Sequence, residues 1–209
     1  MEEQIEVIVV DDHRMMRKGL EVLLRGEGLR VTGAASGLRE ARTLLARRRH
    51  DIVLLDVHLG RESSIGLVGE LLEEDPDAAI VLYTGYAEQS SDVQAAASAG
   101  ARGFVLKASP AARLIKALRT VAGGGTYVDP DLAQLLSAGA HTSLLTRLSP
   151  RERQTLEMLA EGLTGQAIAR QLVLSPETVR THVRNATTKL GARTRVQAVA
   201  LVVQAARAG

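Results

Sequence analysis

A chain of 209 residues with 45% hydrophobic and 24% charged side chains is long enough for two compact domains and too apolar to be mostly disordered. It has no cysteine, which removes disulfides, thiolate metal sites and thiol nucleophiles together, and its five histidines lack metal-ligand spacing. The net charge of +2 conceals an asymmetry: residues 1–127 hold 16 Lys/Arg against 18 Asp/Glu and residues 128–209 hold 10 against 6, so the part that suits a polyanion is C-terminal.

From the start, Met1-Glu2-Glu3-Gln4 is acidic, unlike the basic opening of a secretion signal, and no apolar run approaches the roughly 20 residues of a membrane helix. A cytoplasmic protein without a membrane partner is expected. Five short β-type runs then recur, at residues 5–10, 31–35, 52–55, 79–83 and 103–106. Helical stretches follow, with apolar residues such as Leu20, Leu23 and Leu24, then Ala41, Leu44 and Leu45, then Ile65, Val68 and Leu72 at amphipathic spacing. Apolar strands alternating with helices predict a (βα)5 unit, an α/β doubly wound parallel sheet joined by right-handed crossovers and covered on both faces. Residues 1–123 are assigned to this domain. Residues 124–146, opening on a glycine run and holding one short helical piece near 132–136, read as a linker.

Residues 147–209 carry only helical patterns. Ser149-Pro150-Arg151-Glu152 is a capping box with proline at the first helical position. Thr164 can cap a second helix, Ser175-Pro176 a third that runs to about Lys189, and Thr194 begins a fourth. The second and third, separated by Val173 and Leu174, form a helix-turn-helix within an all-α four-helix domain.

In a doubly wound sheet of flavodoxin-like strand order, ligands gather at the carboxyl ends of the strands, where the first and third are neighbours. Strand one ends in Asp11-Asp12 and strand three in Asp56. Three ionised carboxylates repel unless a hard cation joins them, and magnesium (Mg2+) favours such oxygens. Strands four and five add the hydroxyl of Thr84 and the ammonium of Lys107. The set is an aspartate nucleophile beside a metal, with a charge neutraliser and a hydroxyl donor for a phosphoryl oxygen. Taken singly, each residue has a plainer reading as a helix cap or a solvated charge; their joint placement at one rim carries the chemistry.

The stretches VVDDH, LLDVH, LYTGY and GFVLK resemble the receiver domains of two-component response regulators, over residues 5–121. The resemblance implies Asp56 as phosphoacceptor, Asp11 and Asp12 holding magnesium with the backbone carbonyl of His58, and Thr84 and Lys107 contacting the phosphoryl group. It also nominates Phe104 as an aromatic switch partner of Thr84, beside the plainer reading of a strand-five core residue. Three positions depart from the family pattern: Gly60 stands where proline is usual, Ser64 where glycine is usual, and Ala108 follows Lys107 in place of proline.

On the third helix of the C-terminal domain, Val179, Val183, Ala186 and Leu190 follow core spacing, which places Glu177, Arg180, Thr181, Arg184 and Thr188 on the opposite face. Arginines and short hydroxyls suit the major groove, and with three tyrosines, one phenylalanine and no tryptophan the chain lacks stacking platforms for single strands. Duplex DNA is expected. The whole stretch from Leu148 to Val199 is similar to the LuxR-type DNA-binding domain, and its union with a receiver resembles the NarL/FixJ group. That resemblance implies Arg180, Thr181 and Arg184 as base readers, Lys189 near phosphates, a sensor histidine kinase as phosphodonor and RNA polymerase as a further partner. Gly165 and Ala167 replace the frequent asparagine and glutamate, so the second helix loses a capping-box partner. The last helix is apolar on two faces, one for its own domain and one for a second subunit, which predicts a homodimer.

Two other readings are set against this one. A haloacid-dehalogenase-type phosphatase would use the same nucleophile, but it requires a second aspartate where this chain has His58, and a cap insertion that is absent from the sequence. A phosphate-independent receiver acting as a dimerisation module keeps the DNA role. The expected function is a non-enzymatic transcription regulator.

Overall fold

The computed structural model describes residues 4–85, 90–136 and 142–208. The start at residues 1–3, Tyr86 of the LYTGY stretch and residues 137–141 of the expected linker lie outside the described residues. The first domain runs β1 (Glu6–Val10), α1 (Arg14–Gly26), β2 (Arg30–Ala35), α2 (Leu38–Arg47), β3 (Ile52–Asp56), a two-stranded hairpin β4 (His58–Leu59) and β5 (Glu62–Ser63), α3 (Ile65–Glu74), β6 (Ile80–Thr84), α4 (Ser90–Ala99), β7 (Gly103–Leu106) and α5 (Ala111–Ala122). The five expected strands are therefore present in order. Their sheet is parallel, ordered β2-β1-β3-β6-β7, with one further strand at its edge.

That further strand is β8 (Tyr127–Val128), which pairs parallel to β7 with Tyr127 opposite Gly103 and Val128 opposite Phe104. The segment expected to be a linker thus begins as a piece of the sheet. It continues into a short helix α6 (Ala133–Leu136) and, beyond the undescribed residues, a 3-10 turn at Thr142–Arg147. The second domain holds α7 (Pro150–Ala160), α8 (Gly165–Leu172), α9 (Pro176–Lys189) and α10 (Arg195–Ala208).

The caps follow the sequence. Ser149 and Glu152 form the full capping box of α7, and Ser175 Oγ accepts from the Thr178 N–H to open α9. Thr164 Oγ1 accepts from the Ala167 N–H, so α8 is capped by hydroxyl alone despite Gly165 and Ala167. Between α8 and α9, Val173 is 91% exposed at φ +55°, a conformation disfavoured for a β-branched residue.

The sheet separates two apolar layers. On one side Val7, Val9, Ile52, Leu54, Val81 and Val105 pack with α1 and α5. On the other, Ile8, Val53, Leu55, Leu82 and Phe104 join α3 and α4, and this cluster continues through Leu132, Ala133 and Leu136 of α6 into Leu156, Val179, Ala198, Val199 and Leu201 of the helical domain. The two domains share one core. Both apolar faces of α10 are consequently covered by the chain itself, with Val196, Ala198, Val199, Ala200, Leu201 and Val202 all buried. α10 packs against α6 and β8 as well as α7 and α9, so apolar surface expected on sequence grounds to meet another subunit is taken up within the chain.

Polar contacts frame this junction. Gln197 Nε2 reaches Ser98 Oγ of α4 at 3.4 Å, and Arg195 Nη2 lies 3.4 Å from the carbonyls of both Gly124 and Gly125. Burial, with Arg102 nearby, pulls the Arg195 guanidinium down to about 10 against a weaker opposing pull from Asp77. Gly125 is required there: a Cβ would stand 2.8 Å from the Thr120 carbonyl and 3.3 Å from that of Gly162 at the end of α7.

Candidate phosphoacceptor site and DNA-reading face

β1, β3, β6 and β7 end at one rim because parallel strands in register bring their carboxyl ends together. Asp11 follows β1, Asp56 closes β3, Thr84 closes β6 and Lys107 follows β7. Asp11, Asp56 and Thr84 are all buried. Lys107 Nζ donates to Asp11 Oδ2 at 2.7 Å and to Asp56 Oδ2 at 2.6 Å, so one ammonium joins the two carboxylates. Its backbone N–H donates to the Thr84 carbonyl at 2.7 Å.

Burial raises the Asp56 carboxyl above the ordinary aspartate range, against the bond and charge of Lys107, which lower it. For Lys107, burial acts downward but its bonds to Asp11 and Asp56 prevail and the ammonium is held above the ordinary lysine range. The proton therefore stays on lysine, and Asp56 faces the rim as a desolvated nucleophile whose negative charge is shared with one cation.

Asp11, Asp12, His13 and Asp56 each offer one ligand atom, and these atoms lie within 4.8 Å of one another. Three carboxylates form an oxygen donor set suited to magnesium. His13, largely exposed, has its Nδ1 2.8 Å from Asp12 Oδ1. The hairpin after β3 supports the same group: the Gly60 N–H donates to Asp12 Oδ2 at 2.9 Å, and the fully buried Ser64 donates its hydroxyl to the Asp56 carbonyl at 2.7 Å. Proline at position 60 could not make the first bond and glycine at 64 could not make the second. His58 follows the acceptor, its Nε2 lying 3.1 Å from Asp92 Oδ2 on the first turn of α4. Phe104 has no exposed surface and is a packed core residue of β7.

On α9, Val179, Ala186 and Leu190 point inward, while Arg180 and Arg184 are exposed and Thr181 is half-buried beside them. The expected reading face is therefore open to solvent. Lys189 is placed differently from the other three: its ammonium donates to both carboxylate oxygens of Glu152, at 2.9 and 2.7 Å, on a residue that is itself buried. Burial pushes the Glu152 carboxyl up, but the bonds from Lys189 and from Ser149 together hold it below its ordinary range. Lys189 ties α9 to α7.

Two family models match the chain. One for the response regulator receiver domain matches residues 7–119, and one for bacterial regulatory proteins of the luxR family matches residues 146–202. The chain is a response regulator. Its relatives include the nitrate/nitrite response regulator protein NarP of Escherichia coli, 35% identical over 95% of this chain and 94% of that one. Another is the DNA-binding transcriptional activator DevR/DosR of Mycobacterium tuberculosis, 32% identical over 97% of this chain and 96% of that one. Among solved structures, RcsB of Salmonella enterica serovar Typhimurium, bound to a promoter in the presence of a phosphomimetic, superposes with a TM-score of 0.56 at 25% identity, covering 91% of this chain and 94% of that one. The response regulator therefore joins a flavodoxin-like receiver to a LuxR-type DNA-binding domain, and among its described residues no helix is long and apolar enough to cross a membrane.

Proposed function

We propose that Asp56 accepts a phosphoryl group from a sensor histidine kinase in the cytoplasm, and that the modification shifts the chain from a closed monomer toward a homodimer whose α9 helices read duplex DNA. The observation that carries this reading is the junction of Lys107 with Asp11 and Asp56 at the rim of the parallel sheet. An Asp56 carboxylate oxygen forms the bond to phosphorus as the donor's P–N bond breaks and the imidazole leaves. Lys107 then pairs with a phosphoryl oxygen and Thr84 donates its hydroxyl to another. Asp11, Asp12, Asp56 and the His58 carbonyl would hold magnesium, which supplies charge neutralisation when bound.

Of the two ways in which a receiver could restrain its output domain, covering the reading helix or covering the dimer face, the burial of α10 supports the second. Arg180 and Arg184 are exposed, whereas α10 is buried along most of its length and packs against α6 and β8 as well as α7 and α9. A closed chain can touch DNA as a monomer but lacks the surface for pairing two half-sites. Phosphorylation need only favour undocking of α10 by a few kcal/mol.

The test compares the wild type with Asp56→Asn under acetyl phosphate and magnesium, measuring the phosphorylated residue, the mass in solution and the affinity for promoter DNA. Phosphate on Asp56 with a shift to dimer and tighter binding is expected. Equal dimerisation and equal affinity with and without phosphate would establish the phosphate-independent receiver instead.

A further inference from the structure

Asp129 stands at the end of β8 with no exposed surface, and its carboxylate accepts from three separate segments. Ser109 Oγ donates to Oδ2 at 2.5 Å, Arg113 Nη1 of α5 to Oδ1 at 3.0 Å, and the Asp131 N–H to Oδ1 at 3.1 Å. Its own N–H donates to the Phe104 carbonyl at 2.8 Å. Burying a carboxylate is costly unless it is fully hydrogen-bonded, so this set is held complete or given up together.

Capping the turn before α6 accounts for the bond from Asp131 and leaves Ser109 unexplained. Ser109 lies two residues beyond Lys107, on a turn closed by the Ser109 N–H to the Leu106 carbonyl at 3.0 Å. Ala108 contributes no ring to stiffen that turn and exposes its side chain. Two side-chain bonds hold the turn among the described residues: the longer is from Tyr83 Oη to the Lys107 carbonyl at 3.5 Å, and the shorter is from the hydroxyl of Ser109 to Asp129. Asp129 in turn directly follows the strand that leads into the DNA-binding domain.

We propose that Asp129 is a positioning residue for the phosphoacceptor site: through Ser109 it fixes the turn that holds the Lys107 ammonium on Asp56, and it makes that turn and the seat of the interdomain strand one hydrogen-bonded unit. This inference rests on the role proposed for Asp56 and Lys107. Movement of Lys107 toward a phosphoryl oxygen strains the Ser109–Asp129 bond, and loss of that bond loosens β8, on which α10 is docked.

The test uses the full chain with Ser109→Ala, Ser109→Thr and Asp129→Asn. The protein has four lysines, so selective carbon labelling gives four side-chain signals, and Lys107→Arg identifies the one from Lys107. Ser109→Ala should move the Lys107 signal toward that of the exposed Lys18 and slow phosphorylation by acetyl phosphate about three- to tenfold. Ser109→Thr, which keeps the hydroxyl, should restore both. Asp129→Asn should act in the same direction and speed hydrogen exchange at the Asp129 amide. An unchanged Lys107 signal in Ser109→Ala overturns the proposal, and if Asp129→Asn does not fold, the two Ser109 variants decide alone. Should the wild type take no phosphate on Asp56, the acceptor reading fails, while the Lys107 signal still judges the positioning role separately.

Discussion

The backbone N–H of Gly60 donates to Asp12 Oδ2 across 2.9 Å, with Gly60 at φ +66°. Proline has no N–H and cannot adopt that φ, so the usual family residue would release the Asp12 carboxylate. Gly60→Ala should lower stability by about 1–2 kcal/mol through the left-handed conformation alone. Gly60→Pro should in addition diminish the rise in Tm produced by magnesium, as measured by thermal unfolding at several magnesium concentrations. An undiminished rise would show that this bond does not orient the metal ligand.

Asp56 titrates above its ordinary range because of burial, with Lys107 opposing. A carboxyl raised in the folded state stabilises the fold below its unfolded pKa, and that contribution is lost as pH rises through the folded value. In metal-free buffer, Asp56→Asn should therefore raise Tm at pH 7, and the difference from wild type should shrink as pH falls to about 4. A difference independent of pH would contradict the assignment of the shift.

Lys107 makes the only described bonds that join Asp11 to Asp56. Lys107→Ala should still take up phosphate on Asp56, more slowly than the wild type because the carboxylate is intact but its ammonium partner is gone, yet fail to convert to dimer. Size-exclusion chromatography after phosphorylation reads the outcome; a mutant that dimerises normally refutes the role.

Arg184 and Lys189 sit on one helix and should behave differently. Arg184→Ala should cost about 1–3 kcal/mol at a specific site and less on random duplex, if the exposed guanidinium reads a base as proposed. Lys189→Ala should instead lower the stability of the DNA-binding domain by about 1–3 kcal/mol, leaving the buried Glu152 with its cap bonds alone, and should leave the salt dependence of binding unchanged. Competition binding across salt concentrations, beside thermal unfolding, separates them. A reduced salt slope in Lys189→Ala would return that residue to the phosphates.

Val173 holds a left-handed conformation in the turn before α9. Glycine adopts that conformation without strain, so Val173→Gly should stabilise the domain by about 0.5–1 kcal/mol after its own entropic cost. Chemical denaturation measures it. Loss of DNA affinity in this variant, with stability gained, would mark the exposed valine as a contact rather than a strained spacer.

The strands of the receiver were legible because Val7–Val10, Ile52–Leu55 and Val81–Tyr83 are continuous apolar runs, and their order placed Asp11, Asp56, Thr84 and Lys107 at one rim. Ser149, Thr164 and Ser175 announced their helices through hydroxyl caps. β8 was not legible, since Tyr127–Val128 is too short for a period and follows a glycine run that reads as a linker. Ser64, Asp129 and the Lys189–Glu152 pair depend on partners brought close only by the fold, 8, 20 and 37 residues away in sequence. The apolar outer face of α10 was visible, but whether it meets a second subunit or the chain's own β8 is decided by tertiary structure.

The edge strand bears on how this protein can be divided. A receiver fragment ending at residue 119, where the family match stops, would leave β7 without β8 and present its backbone N–H and carbonyl groups to any passing strand. Extending the fragment through residue 136 restores that pairing but still uncovers the flank of β8 that α7 and α10 protect in the intact chain. Self-association of an isolated receiver would then report a cut sheet, and the assembly state of this regulator has to be measured on the undivided molecule.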